Sequence, residues 1–127
     1  MYPHDKLSVG RRDITERTFE FAVAIVSFTE TFGTRAGARR TVSNQVLRSG
    51  TSIGANVEEA QGAQGRKDFI AKMMIALKEA RETRYWLRLT VASKLCTDPH
   101  MQVLIQEATE LCNIIAALVV TARKNAE

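Results

Sequence analysis

The sequence has few of the residues that interrupt helices and no pattern of the kind that builds strands. Its 127 residues include two prolines and seven glycines, and no segment alternates apolar and polar residues like a half-buried strand. Because few helix breakers leave room for long helices, we predict an all-α fold. The length fits one domain, so we expect residues 1–127 to form a single unit with a flexible N-terminal tail at residues 1–12.

Residue types that catalyse reactions or bind metals are equally scarce. The two histidines are His4 and His100, and neither follows a glutamate by three residues, as the ligands of a di-iron bundle would. The two cysteines, Cys96 and Cys112, lack metal-ligand spacing. A Cys96–His100 nucleophile would have no third residue to orient it. We therefore predict a protein that is not an enzyme and that holds no cofactor and no metal.

Signals for export and membrane insertion are absent as well. No apolar run reaches the length of a membrane span, and the first residues, MYPHDKLS, contain no apolar signal-peptide core. The spacing of Cys96 and Cys112 leaves a disulfide open, although two thiols in a reducing cytosol are the simpler interpretation. We expect a cytoplasmic protein with no membrane partner.

What the sequence does contain is four segments whose apolar residues recur every three or four positions, the spacing of one helix face. Asp13 and Asp98 are suited to cap helix starts, and Pro99 suits a first helical position. Short connectors favour antiparallel neighbours, so we predict an up-down-up-down antiparallel four-helix bundle. The predicted helices span about 13–32, 39–61, 67–95 and 98–124.

The second segment has an unusually thin apolar stripe of small residues. Gly50 and Gly54 lie one turn apart inside it, and each costs about 1 kcal/mol relative to alanine in a helix. Ser49, Ser52 and Ala55 are small too. This composition favours a close approach of another backbone on that face, and the alternative is simply a weak helix.

Two helices carry more apolar surface than one core requires. On the third helix, Ile75, Trp86 and Leu89 fall on a different side from the main stripe. The first helix has a phenylalanine stripe and, beside it, a second apolar face that includes Phe19 and Val23. A surface helix of a monomer normally has one apolar stripe, so we predict a closed cyclic homo-oligomer with Ile75, Trp86 and Leu89 at the subunit interface.

The charge is mildly basic, with 18 basic and 14 acidic residues and a net charge of +4. Such a balance permits binding to phosphate without requiring it. One interpretation of the bases is a solvated face held by intrahelical ion pairs, and the other is a set of phosphate-binding patches that an oligomer repeats around its axis. The candidate nucleic-acid-binding residues are Arg35, Arg39, Arg40, Arg66, Lys67, Arg81 and Arg88.

Asn56, Glu58 and Glu59 form a short polar group that also has two interpretations. The group resembles a site for a cation or a basic ligand. The structural alternative, which we favour, is that Asn56 bonds the backbone of a neighbouring helix and that a glutamate pairs with an arginine such as Arg48 or Arg81, because a partly buried acid must be paired. By the same reasoning we expect Arg84, near the core stripe, to pair with an acid such as Glu59.

Three motifs in order carry a family resemblance, and this resemblance extends over nearly the whole chain. They are RSGTSIGANVEEAQG at 48–62, GRKDF at 65–69 and MMIALKEARETRYWLRL at 73–89. Together they resemble the four-helix-bundle family named for proteins encoded in intervening sequences of bacterial large-subunit ribosomal RNA genes. The matching positions are Arg48, Ser49, Ser52, Ile53, Asn56, Glu59, Glu79 and Glu82, whereas Val57, Glu58 and Ala60 depart from the family pattern.

The resemblance implies a homopentamer of bundles around a central channel. The family is similar to the accessory proteins of diversity-generating retroelements, which bind nucleic acid and associate with a reverse transcriptase. The first functional hypothesis is therefore a non-enzymatic ring that binds nucleic acid, RNA or DNA, and structured RNA above all. The alternative is a protein-binding scaffold or accessory subunit, for example of a reverse transcriptase, with no direct role in nucleic-acid binding.

Overall fold

Four antiparallel α-helices make up the part of the chain that the structure describes. The computed structural model describes residues 13–125, in which the helices are α1 (Ile14–Phe32), α2 (Ala38–Gln61), α3 (Arg66–Ala92) and α4 (Met101–Asn125). The predicted all-α four-helix bundle is confirmed. Each helix packs mainly against the next one along the chain, and α1 meets α4 only over a short stretch. The predicted tail at 1–12, with His4, lies outside the described residues.

The ends of α1 and α2 follow the sequence closely. The side chain of Asp13 accepts a hydrogen bond from the Thr15 backbone N–H at 3.2 Å, which caps α1 as predicted. At the other end, the amide of Gly33 donates to the Thr29 carbonyl, and a side chain at this position would collide with the Ser43 hydroxyl. The second helix continues to Gln61, past the departure from the family pattern at Ala60.

The last two helices begin or end away from the predicted residues. The third helix ends at Ala92 rather than Leu95, because Lys94 adopts a left-handed conformation (φ 61°) and the Leu95 amide turns back to the Thr90 carbonyl. The fourth helix begins at Met101 rather than at Pro99. Asp98 accepts a bond from the His100 amide at 2.9 Å and so stabilises a tight turn that precedes the helix.

The core runs the length of the bundle, and the predicted stripes supply nearly all of it. The predicted stripes are Phe21, Ile25, Phe28 and Phe32 on α1, Val42, Val46, Ser49, Ile53, Val57 and Ala60 on α2, and Phe69, Met73, Ala76, Leu77, Ala80, Leu87 and Val91 on α3. All of these residues are buried except Phe28 and Val91, which are half-buried. The stripes omitted three buried threonines, whose hydroxyls bond carbonyls of their own helices. These bonds satisfy the hydroxyl groups inside the core. The threonines are Thr18, Thr83 and Thr90.

The close approach predicted for the glycine-containing face is present, and α1 is the helix that approaches. A Cβ atom at Gly50 would lie 2.9 Å from two side-chain carbons of Ile25. At Gly54 it would lie 3.2 Å from the backbone carbonyl oxygen of Thr18. Both distances are shorter than ordinary van der Waals contact, so Gly50 leaves room for the Ile25 side chain and Gly54 lets the backbones of α1 and α2 approach closely.

The apolar character of α4 is high enough, by length and mean hydropathy alone, for a membrane span, and no other helix in the described part of the chain meets that criterion. Core helices of soluble proteins meet it too. One side of α4 lies in the bundle core. Its two glutamates, Glu107 and Glu110, are bound by Arg17 of α1, which ties the helix into the bundle.

Candidate interaction surfaces

A polar cluster joins α2 to α3 and brings together residues of the first and third sequence motifs. The guanidinium of Arg48 donates to Glu79 Oε2 at 3.2 Å and also to Glu82 Oε2. The indole of Trp86 donates to the same Glu82 oxygen at 3.0 Å. Arg48 is further bonded to Gln45 on its own helix. We call Arg48, Glu79, Glu82 and Trp86 the Arg48 cluster.

Beneath this cluster, a pair of hydroxyl groups links the same two helices inside the core. Ser49 Oγ and Thr83 Oγ1 lie 2.9 Å apart, and both residues are buried. Each hydroxyl is also within hydrogen-bond distance of a carbonyl one turn back on its own helix. Ser49 of the first motif and Thr83 of the third therefore fasten α2 to α3, and both hydroxyl groups are hydrogen-bonded.

The electrostatics of the Arg48 cluster suit a structural connection. The pKa of Glu82 is held below its ordinary value, chiefly by the hydrogen bond from the Trp86 indole and to a smaller extent by the Arg48 guanidinium. Partial burial has the opposite effect on this pKa. A carboxylate held in its charged form by these donors does not serve as a general acid near neutral pH. Glu79 and Glu82, both paired with Arg48, thus connect α3 to α2.

The partners of the polar group on α2 differ from the expected ones. Glu59 pairs with Lys72 of α3, with Nζ and Oε1 3.0 Å apart, and not with Arg84, Arg48 or Arg81. Glu59 lies near the end of α2 and faces the first turns of α3, whereas Arg84 lies twelve residues beyond Lys72, about 18 Å further along that helix.

Asn56 also departs from the expectation of a bond to a neighbouring helix. It donates instead to the Ser52 carbonyl of its own helix at 2.9 Å. Among the described residues, no group of histidine, cysteine, aspartate or glutamate side chains is arranged to hold a metal ion.

The seven predicted nucleic-acid-binding residues separate along the bundle. Arg35, Arg39 and Arg40 lie where α1 turns into α2. Because α2 and α3 are antiparallel neighbours, the end of α3 lies at the same end of the bundle, with Arg88 one turn before it. The opposite end holds Arg66 and Lys67, about 35 Å away along α2, and Arg81 lies between the two ends.

Two of the seven already contact the protein itself. The guanidinium of Arg39 lies over the Phe32 ring, 5.3 Å from its centroid, and the residue is half-buried. Arg66 donates to the Asn125 carbonyl at the end of α4, where it caps an otherwise unpaired acceptor. Arg35, Arg40, Lys67, Arg81 and Arg88 are exposed.

The two ends of the bundle differ in their charge balance. We call the end formed by the α1–α2 and α3–α4 connectors the connector end. Its bases outnumber its acids, which are Glu30 and Asp98. At the opposite end bases and acids balance among the described residues. The bases at or next to the connector end are Arg35, Arg39, Arg40, Arg88 and Lys94.

The predicted subunit-interface residues are only partly free for a partner. Ile75 is 44% exposed, but Leu89 is half-buried and Trp86 packs against the core with its indole bound to Glu82. The same side of α3 exposes Met74 and Tyr85, which were not among the predicted interface residues. The sequence could have indicated them, because residues 74, 78, 85 and 89 recur at helical spacing on the outer side of α3.

Three large apolar side chains are exposed on α1, and one of them, Phe19, is the most exposed in the described part of the chain. Phe19, Val23 and Val26 are 68%, 55% and 44% exposed, respectively. Their spacing of four and three residues places them on one face, which is the second face of this helix noted in the sequence. We call these three residues the α1 outer face, and we call Met74, Ile75, Tyr85 and Leu89 the α3 outer face.

A groove of about 710 Å³ lies between α1 and α4. Glu20, Phe21, His100 and Glu107 are among its lining residues. Glu110 lies at the rim of the groove. Its pKa is kept below the ordinary value, chiefly by the hydrogen bond from the Gln106 amide and to a smaller extent by Arg17. The acids of the groove are thus engaged by neighbouring side chains, and His100 is exposed at its edge.

Both cysteines are free thiols, so the disulfide that the spacing left open is not formed. Cys96 is half-buried at the end of α3, and Cys112 is buried on α4. Burial raises the pKa of Cys112, against a smaller opposing effect of the nearby Arg84 and Arg81. A buried thiol with a raised pKa is a poor nucleophile.

The four helices and the three motifs match a known family. A model of the family described as 23S rRNA-intervening sequence protein matches residues 11–117. The chain belongs to this family. The sequence resemblance is thereby confirmed, whereas the further link to retroelement accessory proteins stays a prediction.

A solved structure supports the same assignment. It is a protein from Bacteroides thetaiotaomicron VPI-5482, described as having unknown function and as coming from the S23 ribosomal protein family. It is 39% identical to this chain, with a TM-score of 0.76, and the match covers 84% of this chain and 97% of the other. No curated protein matches the chain.

Proposed function

We propose that this protein is a non-enzymatic, ring-forming bundle that binds nucleic acid, structured RNA above all, through the connector end. The observation that carries the proposal is the excess of bases over acids at that end, whereas bases and acids balance among the described residues of the opposite end. A homopentamer would repeat the basic end five times around its axis. Several weak phosphate contacts then act together, because each contact raises the effective concentration for the next.

The non-enzymatic part of the proposal is supported by how the ionisable groups are used. Each acid with a lowered pKa is explained by a neighbouring donor: Glu82 by Trp86 and Arg48, and Glu110 by Gln106 and Arg17. Active sites instead combine perturbed groups with a nucleophile and a base in contact. The family name and the description of the solved relative indicate no catalysis either.

The second candidate function is a scaffold or accessory subunit for another protein, for example a reverse transcriptase. It is favoured by the outer faces of α1 and α3, because exposed apolar faces mark sites of protein contact. The two functions differ in what the basic residues do. In a scaffold they serve solubility alone, and their removal leaves binding to the protein partner intact.

Salt-dependent binding tests the proposal. We expect labelled structured RNA to bind the wild-type oligomer and to be released steeply as salt rises, because each contacted phosphate regains its counterions. The variant Arg35→Gln/Arg40→Gln should bind more weakly and with a shallower salt dependence. These two residues are chosen because they are exposed, whereas Arg39 is packed on Phe32. Fluorescence anisotropy over a salt series measures both effects, with single- and double-stranded DNA alongside.

A matched control removes two bases from the other end. Arg123→Gln/Lys124→Gln has the same change of net charge, and we expect its salt dependence to stay close to that of the wild type. Light scattering on each sample verifies that the oligomer is intact. An intact oligomer that binds neither RNA nor DNA at low salt would contradict the nucleic-acid function and leave the scaffold as the better account.

A further inference from the structure

The outer faces of α1 and α3 carry opposite charge around their apolar residues. Glu16 and Glu30, both exposed, flank the α1 outer face at its two ends. From Met74 to Leu89, every exposed charged residue of α3 is basic. These bases are Lys78 and Arg81, which lie next to the residues of the α3 outer face, and Arg88, which lies nearer the connector end. Glu79 and Glu82 do not offset them, because they are turned to Arg48.

The two faces also differ in shape. The α3 side has a shallow hollow of about 260 Å³ lined by Tyr85, Arg88, Leu89 and Ala92. The α1 side projects Phe19, the most exposed of the large apolar side chains. Aromatic side chains that fill a hollow on a partner are the commonest anchors of protein interfaces.

We infer that the α1 outer face of one copy packs on the α3 outer face of the next copy, with Phe19 as the anchor. This inference rests on the proposed self-assembly and specifies its geometry. Pairing α1 with α1 would bring glutamates together, and pairing α3 with α3 would bring bases together. Like charges facing each other disfavour both arrangements, whereas the α1–α3 pairing brings acids to bases.

The bundle places these faces so that one copy engages two neighbours. Helices α1 and α3 both pack against α2, which lies between them, and each presents its outer face away from the core. A contact between two different faces is heterologous, and copies joined in this way form a ring when the rotation from one to the next closes.

Two residues change their assignment as a result. Arg81 lies at the new contact and Arg88 lines the hollow that receives Phe19, so both face the neighbouring copy rather than phosphate. At the connector end, Arg35 and Arg40 remain exposed for contact with nucleic acid.

Complementation between two damaged faces tests the inference. Phe19→Asp disables the α1 outer face, and Ile75→Asp/Tyr85→Asp disables the α3 outer face at two exposed positions. We expect each variant alone to be monomeric. Mixed together, they should form a 1:1 heterodimer and nothing larger, because only one intact α1 face and one intact α3 face remain. Native mass spectrometry measures the species, and circular dichroism verifies the helices.

A charge exchange gives a second measurement that does not depend on apolar substitutions. Glu16→Lys/Glu30→Lys and Lys78→Glu/Arg81→Glu should each dissociate the oligomer, and all four changes in one chain should restore it. For the aspartate variants at Phe19, Ile75 and Tyr85, Val120→Asp is the matched control. Val120 is an apolar residue of α4 whose exposure, 50%, lies between those of Ile75 and Tyr85, and its substitution should leave the oligomer intact.

The outcomes separate this inference from the proposed function. A wild-type protein that is monomeric overturns the proposed self-assembly and the inference with it. An oligomeric wild type whose Phe19→Asp and Ile75→Asp/Tyr85→Asp variants stay oligomeric, or become monomers that do not associate on mixing, overturns the α1–α3 contact alone. Failure of the fourfold charge variant to reassemble overturns it as well.

Discussion

Glu82 shows how single residues of the motifs serve the fold. Its carboxylate receives the Trp86 indole and the Arg48 guanidinium, and so it connects two turns of α3 with α2. The pKa of Glu82 is lowered by these donors. A carboxylate with a lowered pKa stabilises the folded state above the pKa of the unfolded chain, and that stabilisation is lost as pH falls through the folded pKa.

We predict that Trp86→Phe destabilises the protein more near neutral pH than in acid. Without the indole donor, the pKa of Glu82 returns toward its ordinary value, so the carboxylate contributes less stability when ionised. Well below the ordinary carboxyl pKa, Glu82 is protonated in both proteins and this part of the difference disappears. Urea unfolding over a pH series measures the free energy of unfolding. Tyr85→Phe, which changes an exposed neighbour, is the control, and a difference independent of pH would contradict the role of the bond.

At the scale of the helices, α1 is held in two different ways. Against α2 it is packed closely at two glycines, with the Ile25 side chain at Gly50 and the Thr18 backbone at Gly54. Against α4 it makes few contacts, and Arg17 supplies a polar connection by reaching Glu107 at 2.7 and 2.8 Å and Glu110 at 2.5 Å. The α1–α2 pair is therefore a tight unit, and α1–α4 is the looser side of the bundle.

Gly50→Leu is expected to lower the free energy of unfolding by about 1–3 kcal/mol, because the added side chain has to displace Ile25 and separate the two helices. The equivalent change at Gly54 meets the Thr18 backbone and should have a similar cost. Gly62→Ala is the control, since the nearest atom to a Cβ there is 3.8 Å away. Thermal and urea unfolding measure the three variants. Leucine variants as stable as the wild type would show that the glycines are only weak helix formers.

Arg17→Met should destabilise the protein by about 1–2 kcal/mol, near the upper end for an ion pair. The reason is that the Arg17 and Glu107 side chains are only 15% and 23% exposed, and the guanidinium contacts Glu107 with two nitrogens. Lys72→Met breaks the more exposed pair with Glu59 and is the matched control, with little change expected. Equal effects of the two substitutions in urea unfolding would contradict a special role for Arg17.

For the whole molecule, the distribution of surface properties matters more than the net charge. The outer faces of α1 and α3 are apolar and carry opposite charge, while the connector end has an excess of bases. A ring built through the side faces leaves the ends of every bundle exposed on the rims. Self-assembly and nucleic-acid binding would therefore use separate surfaces of one small chain.

We predict that the wild-type protein in solution is a closed cyclic oligomer with a mass five times that of one chain. A ring closed by heterologous contacts has no free faces, so its mass should stay constant over a range of protein concentrations. Light scattering coupled to size-exclusion chromatography measures this mass. A stable monomer at micromolar concentration, or a mass that grows steadily with concentration as in an open filament, would contradict the prediction.

The sequence by itself determined the helices, the core and the family, because each depends on local order along the chain. Apolar residues at helical spacing marked the buried faces, and the α2 stripe was right at every position. Caps such as Asp13 placed the first helix start, whereas Leu95 and Pro99 fell outside their helices, because backbone turns at Lys94 and Asp98 decided those ends.

Only the tertiary structure decided which polar groups meet. Spacing placed Glu59, Arg84 and Arg48 on their helices, but the partner of each depends on which turns of neighbouring helices lie at the same height. The structure likewise separated the seven predicted bases between the two ends of the bundle and the middle of α3, where Arg81 lies. It also showed Trp86 bound to Glu82 within the chain, while Phe19 and Tyr85 were left exposed. These relations join residues far apart in sequence, and helix packing sets them, so no local pattern records them.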